Sequence, residues 1–201
     1  MFKMIDLPYA LNALEPYYNQ ESLKIHYEIL YKRYVDNANA TLEKIKTARE
    51  TNDYSNIKCL EKELSFQGSG AILHQLFFEN MTPNREERTP KVELADRINL
   101  DFESFTNFKE QFIEAAKAVE ASGWCLLVWV PNIQKLVILQ CEKHQDLTLW
   151  GCKPLLVVDM WEHSYFLQYK ADRAKYLNEF WQIINWEVVN NRFKLIQSKR
   201  D

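Results

Sequence analysis

The sequence predicts an α+β protein, with a helical hairpin in its N-terminal half and a three-stranded antiparallel sheet packed among helices in its C-terminal half. Two observations carry this prediction. Up to about residue 80 the apolar residues recur at helical spacing, whereas three segments between residues 123 and 159 are rich in β-branched and aromatic residues. A polar stretch with two prolines, residues 81–90, separates the two patterns. We therefore expect an all-helical domain at residues 1–84 and an α/β domain at residues 91–201.

The N-terminal half is predicted to contain helices only. Residues 22–50 lack proline and glycine, keep apolar residues at helical spacing and predict one long helix. A polar break at residues 51–53 precedes a shorter predicted helix at residues 57–64, and a third is predicted at residues 68–80. The charged run at residues 85–88 is interpreted as a solvated part of the linker.

The C-terminal half is predicted to mix helices and strands. Helices are expected at residues 92–99 and 102–120, and Asp101 and Ser104 are candidate caps of the second. Three strands follow in the prediction, at residues 123–130, 135–141 and 154–159. The four residues 131–134 are short enough to join the first two strands as a hairpin, and helical segments complete the chain.

Composition excludes several classes of protein. The 201 residues are 47% hydrophobic and 26% charged, which is typical of a globular chain. With 25 basic and 28 acidic residues the net charge is −3, so no general attraction for nucleic acid is expected. No apolar run approaches the roughly 18 residues of a membrane span, and the N-terminus does not resemble a signal peptide. We expect a cytoplasmic protein that binds neither membrane nor nucleic acid.

Cysteine and glycine usage narrows the chemistry further. The four cysteines form no CxxC motif, so reduced and mostly buried thiols are expected in place of disulfides. Only four glycines occur, and no phosphate-binding glycine-rich loop is present in the sequence.

Asp159 and His163 stand four residues apart at the end of the apolar run 154–158. Two ionisable side chains in that setting are costly to bury unless a partner or a metal compensates them. The apolar run predicts a buried strand that ends near Asp159, after which a turn can bring His163 alongside. This pair is a candidate half of a metal site.

The other histidines supply candidate ligands for the second half. His26 and His74 lie on segments of helical spacing, whereas His144 lies in a polar stretch and is predicted to be a solvated loop residue. Histidine and aspartate together suit manganese, iron or zinc, and the lack of cysteine ligands disfavours a structural zinc site. Taken singly, each histidine is more often a structural residue than a ligand.

At these residues the chain resembles the iron/manganese superoxide dismutases, from about residue 5 to 195. Asp159 to His163 matches the metal signature of that family, usually written DxWEH. Further matching segments lie at residues 7–10, 13–16, 26–39, 122–124, 145–146, 185–186 and 190–193. The motifs are specific in combination, and no single one would suffice.

The resemblance implies a site and a reaction. His26, His74, Asp159 and His163 would bind one metal ion per subunit, with a solvent molecule as fifth ligand. The ion would alternate between its +3 and +2 states and convert superoxide to dioxygen and hydrogen peroxide. Tyr34 would extend the solvent hydrogen bonds towards the substrate entrance.

The resemblance also bears on the choice of metal. Gln145 matches the glutamine that hydrogen-bonds the metal-bound solvent in manganese-type members. Iron-type members usually supply that glutamine four residues before the second histidine, where this chain has Gly70. The combination of Gly70 and Gln145 favours manganese as the cofactor, with iron as an alternative.

Subunit contacts follow from the same resemblance. Glu162 would cross an interface to the partner's metal-binding histidine, with Tyr165 at the same contact, which implies a homodimer or a higher oligomer. Arg173 would help to attract the superoxide anion. Where the family usually has a histidine that bonds the tyrosine, this chain has Leu30, so Tyr165 needs another partner.

Other departures surround the predicted ligands. Leu73 replaces a common asparagine, and Phe78 and Leu126 replace tryptophans. These changes motivate an alternative hypothesis, a catalytically impaired homologue that holds metal or serves as a structural dimer. A zinc hydrolase is a third hypothesis, but the sequence lacks HExxH and a positioned general base.

Overall fold

A computed structural model describes residues 1–84, 86 and 88–198 of the chain. Its N-terminal half contains only helices, which are α1 (Gln20–Lys24), a π-helical segment (Ile25–Tyr31), α2 (Lys32–Thr51) and α3 (Ile57–Glu79). Asn52 ends α2 in the left-handed conformation, with φ 54°, and α3 then packs back along α2. The predicted helical hairpin is confirmed.

Two details of the hairpin differ from the prediction. The long first helix contains the π-helical turn around His26, a feature that often marks functional sites. The predicted break between residues 64 and 68 is wrong, because α3 runs through it without interruption. Gly68 and Gly70 are buried in α3, where packing outweighs their low helix propensity.

The C-terminal half contains α4 (Val92–Phe102), α5 (Phe105–Lys117), β1 (Gly123–Val130), β2 (Lys135–Glu142), β3 (Lys153–Asp159), α6 (Glu162–Tyr169), α7 (Arg173–Trp181) and α8 (Trp186–Ser198). Ser104 caps α5 by accepting a hydrogen bond from the backbone N–H of Asn107 at 3.0 Å. The sheet is antiparallel in the order β2-β1-β3, which confirms the predicted fold class.

The register of the sheet brings two functional segments to one end. Trp124, near the start of the central strand β1, pairs with Cys141 on β2 and with Asp159 on β3. The turn that follows β2 and the DxWEH segment that follows β3 therefore lie beside the same residue. All eight residues of β1 are buried, as expected for the central strand between covered faces.

Side chains at the end of α3 attach the helical hairpin to the sheet. Asn80 donates to the carbonyl of Val157 at 3.0 Å, and Arg192 on α8 donates to the carbonyl of Leu155 at 2.8 Å. Arg192 also pairs with Glu79 at 2.6 Å. These bonds hold α3, which carries His74, against β3, which ends in Asp159.

Some predictions fall on residues that the structure leaves undescribed. Residues 85 and 87 of the predicted charged linker and residues 199–201 at the end of the predicted second domain are among them. In the part of the chain that is described, no helix is long and apolar enough to cross a membrane. The division into domains at residues 84 and 91 stays a prediction.

Candidate metal centre

Four side chains from four separate elements converge between the hairpin and the sheet. His26 comes from the π-helical segment, His74 from α3, Asp159 from the end of β3 and His163 from the first turn of α6. One ligand atom from each lies within 4.8 Å of the others. The side chains of His26, His74 and Asp159 are fully buried, and that of His163 is 21% exposed.

The Asp159 carboxylate is held with one oxygen towards the histidines. Its Oδ1 accepts the backbone N–H of Trp161 at 2.8 Å. Its Oδ2 lies 3.1 Å from Nε2 of His163 and 3.2 Å from Nε2 of His26. The backbone bond therefore fixes the carboxylate and leaves Oδ2 at the centre of the cluster.

Hydrogen bonds to the outer nitrogens orient the two buried imidazoles. Nδ1 of His74 lies 2.7 Å from the carbonyl of Gly70, which can only accept, so this nitrogen carries the proton. Nδ1 of His26 lies 2.9 Å from the hydroxyl of Tyr18. Both Nε2 atoms are buried; that of His74 has no hydrogen-bond partner among the described residues, and that of His26 faces Oδ2 of Asp159 at 3.2 Å. A lone pair on Nε2 is what a metal ion requires.

The electrostatics of the cluster also fit a cation. Burial lowers the pKa of His26 and of His74, so both rings are neutral near pH 7. Burial acts to raise the pKa of Asp159, but the imidazoles of His163 and His26 outweigh it and hold that pKa below its ordinary value. An ionised carboxylate thus lies buried beside the neutral imidazoles of His26 and His74, a donor set that a divalent or trivalent ion completes.

His144 forms part of the wall beside this cluster, and its prediction as a solvated residue is wrong. It is only 3% exposed, since the turn after β2 folds it inward. Its ring centroid lies 4.6 Å from that of Tyr34 and 5.7 Å from that of His74, and it stacks on Trp161 at 4.6 Å. Aromatic rings therefore enclose this imidazole.

A hydrogen bond from Trp124 shows which nitrogen of His144 carries the proton. The indole N–H of Trp124 donates to Nδ1 of His144 at 3.0 Å, and an indole nitrogen can only donate. Burial lowers the pKa of His144 to about 4, so the ring is neutral and carries its proton on Nε2. That N–H is buried without a hydrogen-bond partner in the described residues, and is available to a small molecule beside the metal cluster.

Comparison with known proteins identifies this arrangement. The family model for the α-hairpin domain of iron/manganese superoxide dismutases matches residues 1–82, and the model for the C-terminal domain matches residues 90–192. The chain belongs to the iron/manganese superoxide dismutase family. The sequence motifs, the fold and the four converging side chains agree with this assignment.

Individual relatives carry the same family name with different metals. The chain is 43% identical to "Superoxide dismutase [Fe]" of Pyrobaculum aerophilum, over 94% of this chain and 90% of the relative. It is 40% identical to "Superoxide dismutase [Mn/Fe]" of Aeropyrum pernix, over 96% and 91% of the two chains. It is 43% identical to "Probable superoxide dismutase [Fe]" of Bacillus subtilis, over 94% of this chain but 66% of the relative.

Gln145 and its neighbour His144 line the same cavity, and the role predicted for Gln145 stays a prediction. The ring of His144 contacts those of Tyr34 and His74. The Gln145 side chain accepts the backbone N–H of His144 at 3.4 Å and lines a cavity of about 410 Å³ against α3. Sequence reasoning missed His144 because its polar neighbours resemble a solvated loop, although it was the one histidine left without a role.

The predicted interface residues lie around the first turn of α6. Glu162 is exposed beside His163, in a groove that includes Phe166 and Leu167, which are 48% and 43% exposed. An acid next to a candidate ligand on a partly apolar surface is compatible with a subunit contact. The structure contains a single chain, so this contact stays a prediction.

Tyr165 finds a partner within its own chain. It is 3% exposed, and its hydroxyl accepts the Nε–H of Arg173 at 3.1 Å. Arg173 also donates to the carbonyls of Val119 at 2.7 Å and Ala121 at 3.1 Å. The structure thus gives the guanidinium a role in joining α7 to the segment before β1, while the predicted attraction of superoxide stays untested.

The three further departures from the family lie close to the site. Leu73 and Leu126 line the same cavity as Gln145. Phe78 is fully buried, and its ring centroid lies 5.2 Å from that of His26. These substitutions leave the four candidate ligands in place.

Proposed function

We propose that His26, His74, Asp159 and His163 bind one manganese or iron ion, and that this centre carries out superoxide dismutation, the activity of the family to which the chain belongs. The convergence of four donors from separate elements, three of them buried, carries the proposal. An ionised Asp159 and an unpartnered Nε2 of His74 would be unfavourable to bury if no cation bound there.

A bound ion would supply the one-electron chemistry: one superoxide is oxidised to dioxygen, and a second is reduced, with two protons, to hydrogen peroxide. The protein residues hold the ion and control the protons. Tyr18 and the Gly70 carbonyl keep the imidazoles oriented, and Trp161 keeps Asp159 oriented. Such bonds set the basicity of the ligands and thereby the redox potential of the site.

Tyr34 and His144 are the proposed groups that hydrogen-bond substrate and solvent. Burial, reinforced by the charge of Asp159, raises the pKa of Tyr34 above its usual value, so its hydroxyl stays protonated at neutral pH. Nε2–H of His144 is a second donor in the same wall. In this proposal His144 takes the role that the sequence comparison assigned to Gln145.

The proposal covers either metal. The predicted preference for manganese relied on Gly70 and on Gln145 lying next to the metal-bound solvent. In this proposal His144, whose ring contacts that of Tyr34, takes that place, so the part of the argument that rests on Gln145 no longer applies. Relatives named for iron and for manganese or iron are both similar to this chain at about the same level.

We also propose that two copies associate through the surface around Glu162. The exposed acid beside His163 and the exposed apolar side chains of Phe166 and Leu167 in the same groove support this contact. In the dimer, Glu162 of each subunit would accept a hydrogen bond from the partner's metal-binding histidine and fix its tautomer.

Elemental analysis of the purified protein, with superoxide removal measured per bound metal after reconstitution with manganese or iron, tests the proposed function. We expect about one ion per chain and activity proportional to its occupancy. Asp159→Ala should lose the metal and the activity together, whereas Asp36→Ala, at an exposed position on α2, should keep both. Full metal occupancy in Asp159→Ala would refute the ligand assignment.

The same experiment addresses the alternative hypothesis of an impaired homologue. Background activity at full occupancy with either metal would support it. The alternative is not favoured, since the candidate ligands are intact and relatives at about 40% identity are named superoxide dismutases.

A further inference from the structure

Gly70 lies directly against the ring of Tyr34. A Cβ atom built on Gly70 would stand 2.7 Å from Cδ1 of Tyr34 and 3.0 Å from its Cγ. Carbon atoms in contact prefer roughly 3.5–4.0 Å, so no side chain fits here unless the ring shifts by about 1 Å. The nearest atoms belong to the base of the ring, which can move only with the whole side chain.

Three further rings pack around Tyr34, whose side chain is half-buried. Its centroid lies 4.8 Å from that of His74, 4.6 Å from that of His144 and 5.9 Å from that of Phe66. A close-packed ring of this kind has little free volume to move into. Contact with Gly70 therefore determines where the tyrosine hydroxyl stands.

We propose that Gly70 is a positioning residue for the dismutase reaction: its missing side chain admits the Tyr34 ring against α3, so that the hydroxyl is placed for the role proposed above. This inference rests on that proposed role of Tyr34. It assigns to Gly70 a function separate from its backbone carbonyl, which orients His74. Gly70→Ala keeps the backbone carbonyl and adds only a methyl group on the side of the Tyr34 ring.

A second glycine on the same helix provides a matched control. A Cβ on Gly68 would lie 3.1 Å from Cζ of Phe2, the far end of a side chain close to the N-terminus. Both Gly68→Ala and Gly70→Ala raise the helix propensity of α3 equally. The two variants differ in which side chain the new methyl group meets.

The experiment measures metal content, kcat, KM and Tm for Gly70→Ala and Gly68→Ala in the holoenzyme. We expect Gly70→Ala to keep its metal but to lose about tenfold in kcat, because a displaced group near the reacting atoms is costly. Its Tm should fall, while Gly68→Ala keeps wild-type kcat and an equal or higher Tm. Equal behaviour of the two variants would overturn the proposal.

Two double variants separate this proposal from the role of Tyr34. If Gly70 acts through the hydroxyl, Gly70→Ala should cause no further loss of kcat in a Tyr34→Phe background; an equal loss there would overturn it. Full activity of Tyr34→Phe alone would instead refute the proposed role of Tyr34. In that case Tm tests the steric contact between residue 70 and the Tyr34 ring. In a Tyr34→Ala background, Gly70→Ala should no longer lower the Tm of the protein.

The Tyr34→Ala background also provides a test if Gly70→Ala alone fails to fold. Restored folding in the double variant Tyr34→Ala and Gly70→Ala would support the steric relation between the two residues. Continued failure to fold would overturn it, since the ring would not be the obstacle.

Discussion

The indole of Trp124 donates a hydrogen bond to Nδ1 of His144 at 3.0 Å and so determines which nitrogen of that imidazole carries a proton. One residue on the central strand thereby controls a donor in the wall of the metal centre. Loss of this bond leaves a buried nitrogen without its partner and lets the ring rotate or change tautomer.

Trp124→Phe should therefore lower activity per bound metal by about 10-fold, in the range typical for partners that orient groups around metal ligands. We expect the metal content to stay near that of the wild type. Trp129→Phe is the matched control, because Trp129 is equally buried on β1 but packs against Phe193, away from the centre. Equal activity losses in the two variants would indicate a general packing effect.

Substitution of Arg173 distinguishes a structural role of its guanidinium group from a role in attracting the superoxide anion. Arg173→Gln leaves the carbonyls of Val119 and Ala121 and the hydroxyl of Tyr165 without a donor. We expect about 1–3 kcal/mol of destabilisation in urea unfolding. Lys175→Gln removes the same charge from an exposed position on α7 and should leave stability unchanged.

The ionic-strength dependence of kcat/KM completes this test. If Arg173 is mainly structural, the dependence should be similar in Arg173→Gln and Lys175→Gln. A stable Arg173→Gln protein with a selective loss of kcat/KM at low salt would show that the predicted attraction of superoxide is its main role.

Dimer formation should depend on the charge of Glu162. Glu162→Ala removes a carboxylate from the proposed interface, and loss of one partner of a buried charged pair typically costs about 2–5 kcal/mol. Sedimentation analysis should therefore show a dissociation constant raised by at least about tenfold. Glu187→Ala, an exposed acid in the first turn of α8, is the control. Unchanged association of both variants would contradict the proposed interface.

Thiol labelling tests the packing of the sheet. The four cysteines of the chain are all free. Burial, assisted by Asp146, raises the pKa of Cys141 to about 12, so its thiolate is scarce at pH 8 and increases only as the pH rises towards that value. An alkylating reagent should modify exposed Cys59 first, with Cys141 protected until unfolding. Mass spectrometry measures the labelling of each cysteine, and rapid modification of Cys141 at pH 8 would contradict its burial.

Local sequence patterns were sufficient for most of the secondary structure. The β-branched and aromatic residues of 123–130 and 135–141 and the four-residue connection between them predicted the hairpin of β1 and β2, with every end correct to within one residue. Ser104 was one of two candidate caps, and its hydroxyl forms the capping bond. The break before Gly68 was wrong because helix propensity describes an isolated segment, whereas α3 is buried along its glycines.

Wider contacts explain what sequence reasoning missed at the site. His144 was predicted to be solvated because Lys143 and Gln145 beside it are polar. Its burial follows from the pairing of β1 with β2, which places Trp124 under the turn that carries it. The sequence likewise left the hydrogen-bond partner of Tyr165 unassigned, because Arg173 reaches Tyr165 only through the packing of α7.

The sequence by itself determined the fold class, because residue spacing and hydrophobic periodicity are local properties of the chain. Its resemblance to the family, through the DxWEH motif and the other matching segments, supplied the four candidate ligands. Tertiary structure alone decided that their donor atoms meet within 4.8 Å, and that the ring of His144 packs against that of Tyr34. Such contacts join residues far apart in sequence, and they depend on strand register and helix packing, in which a shift of one residue exchanges one side chain for its neighbour.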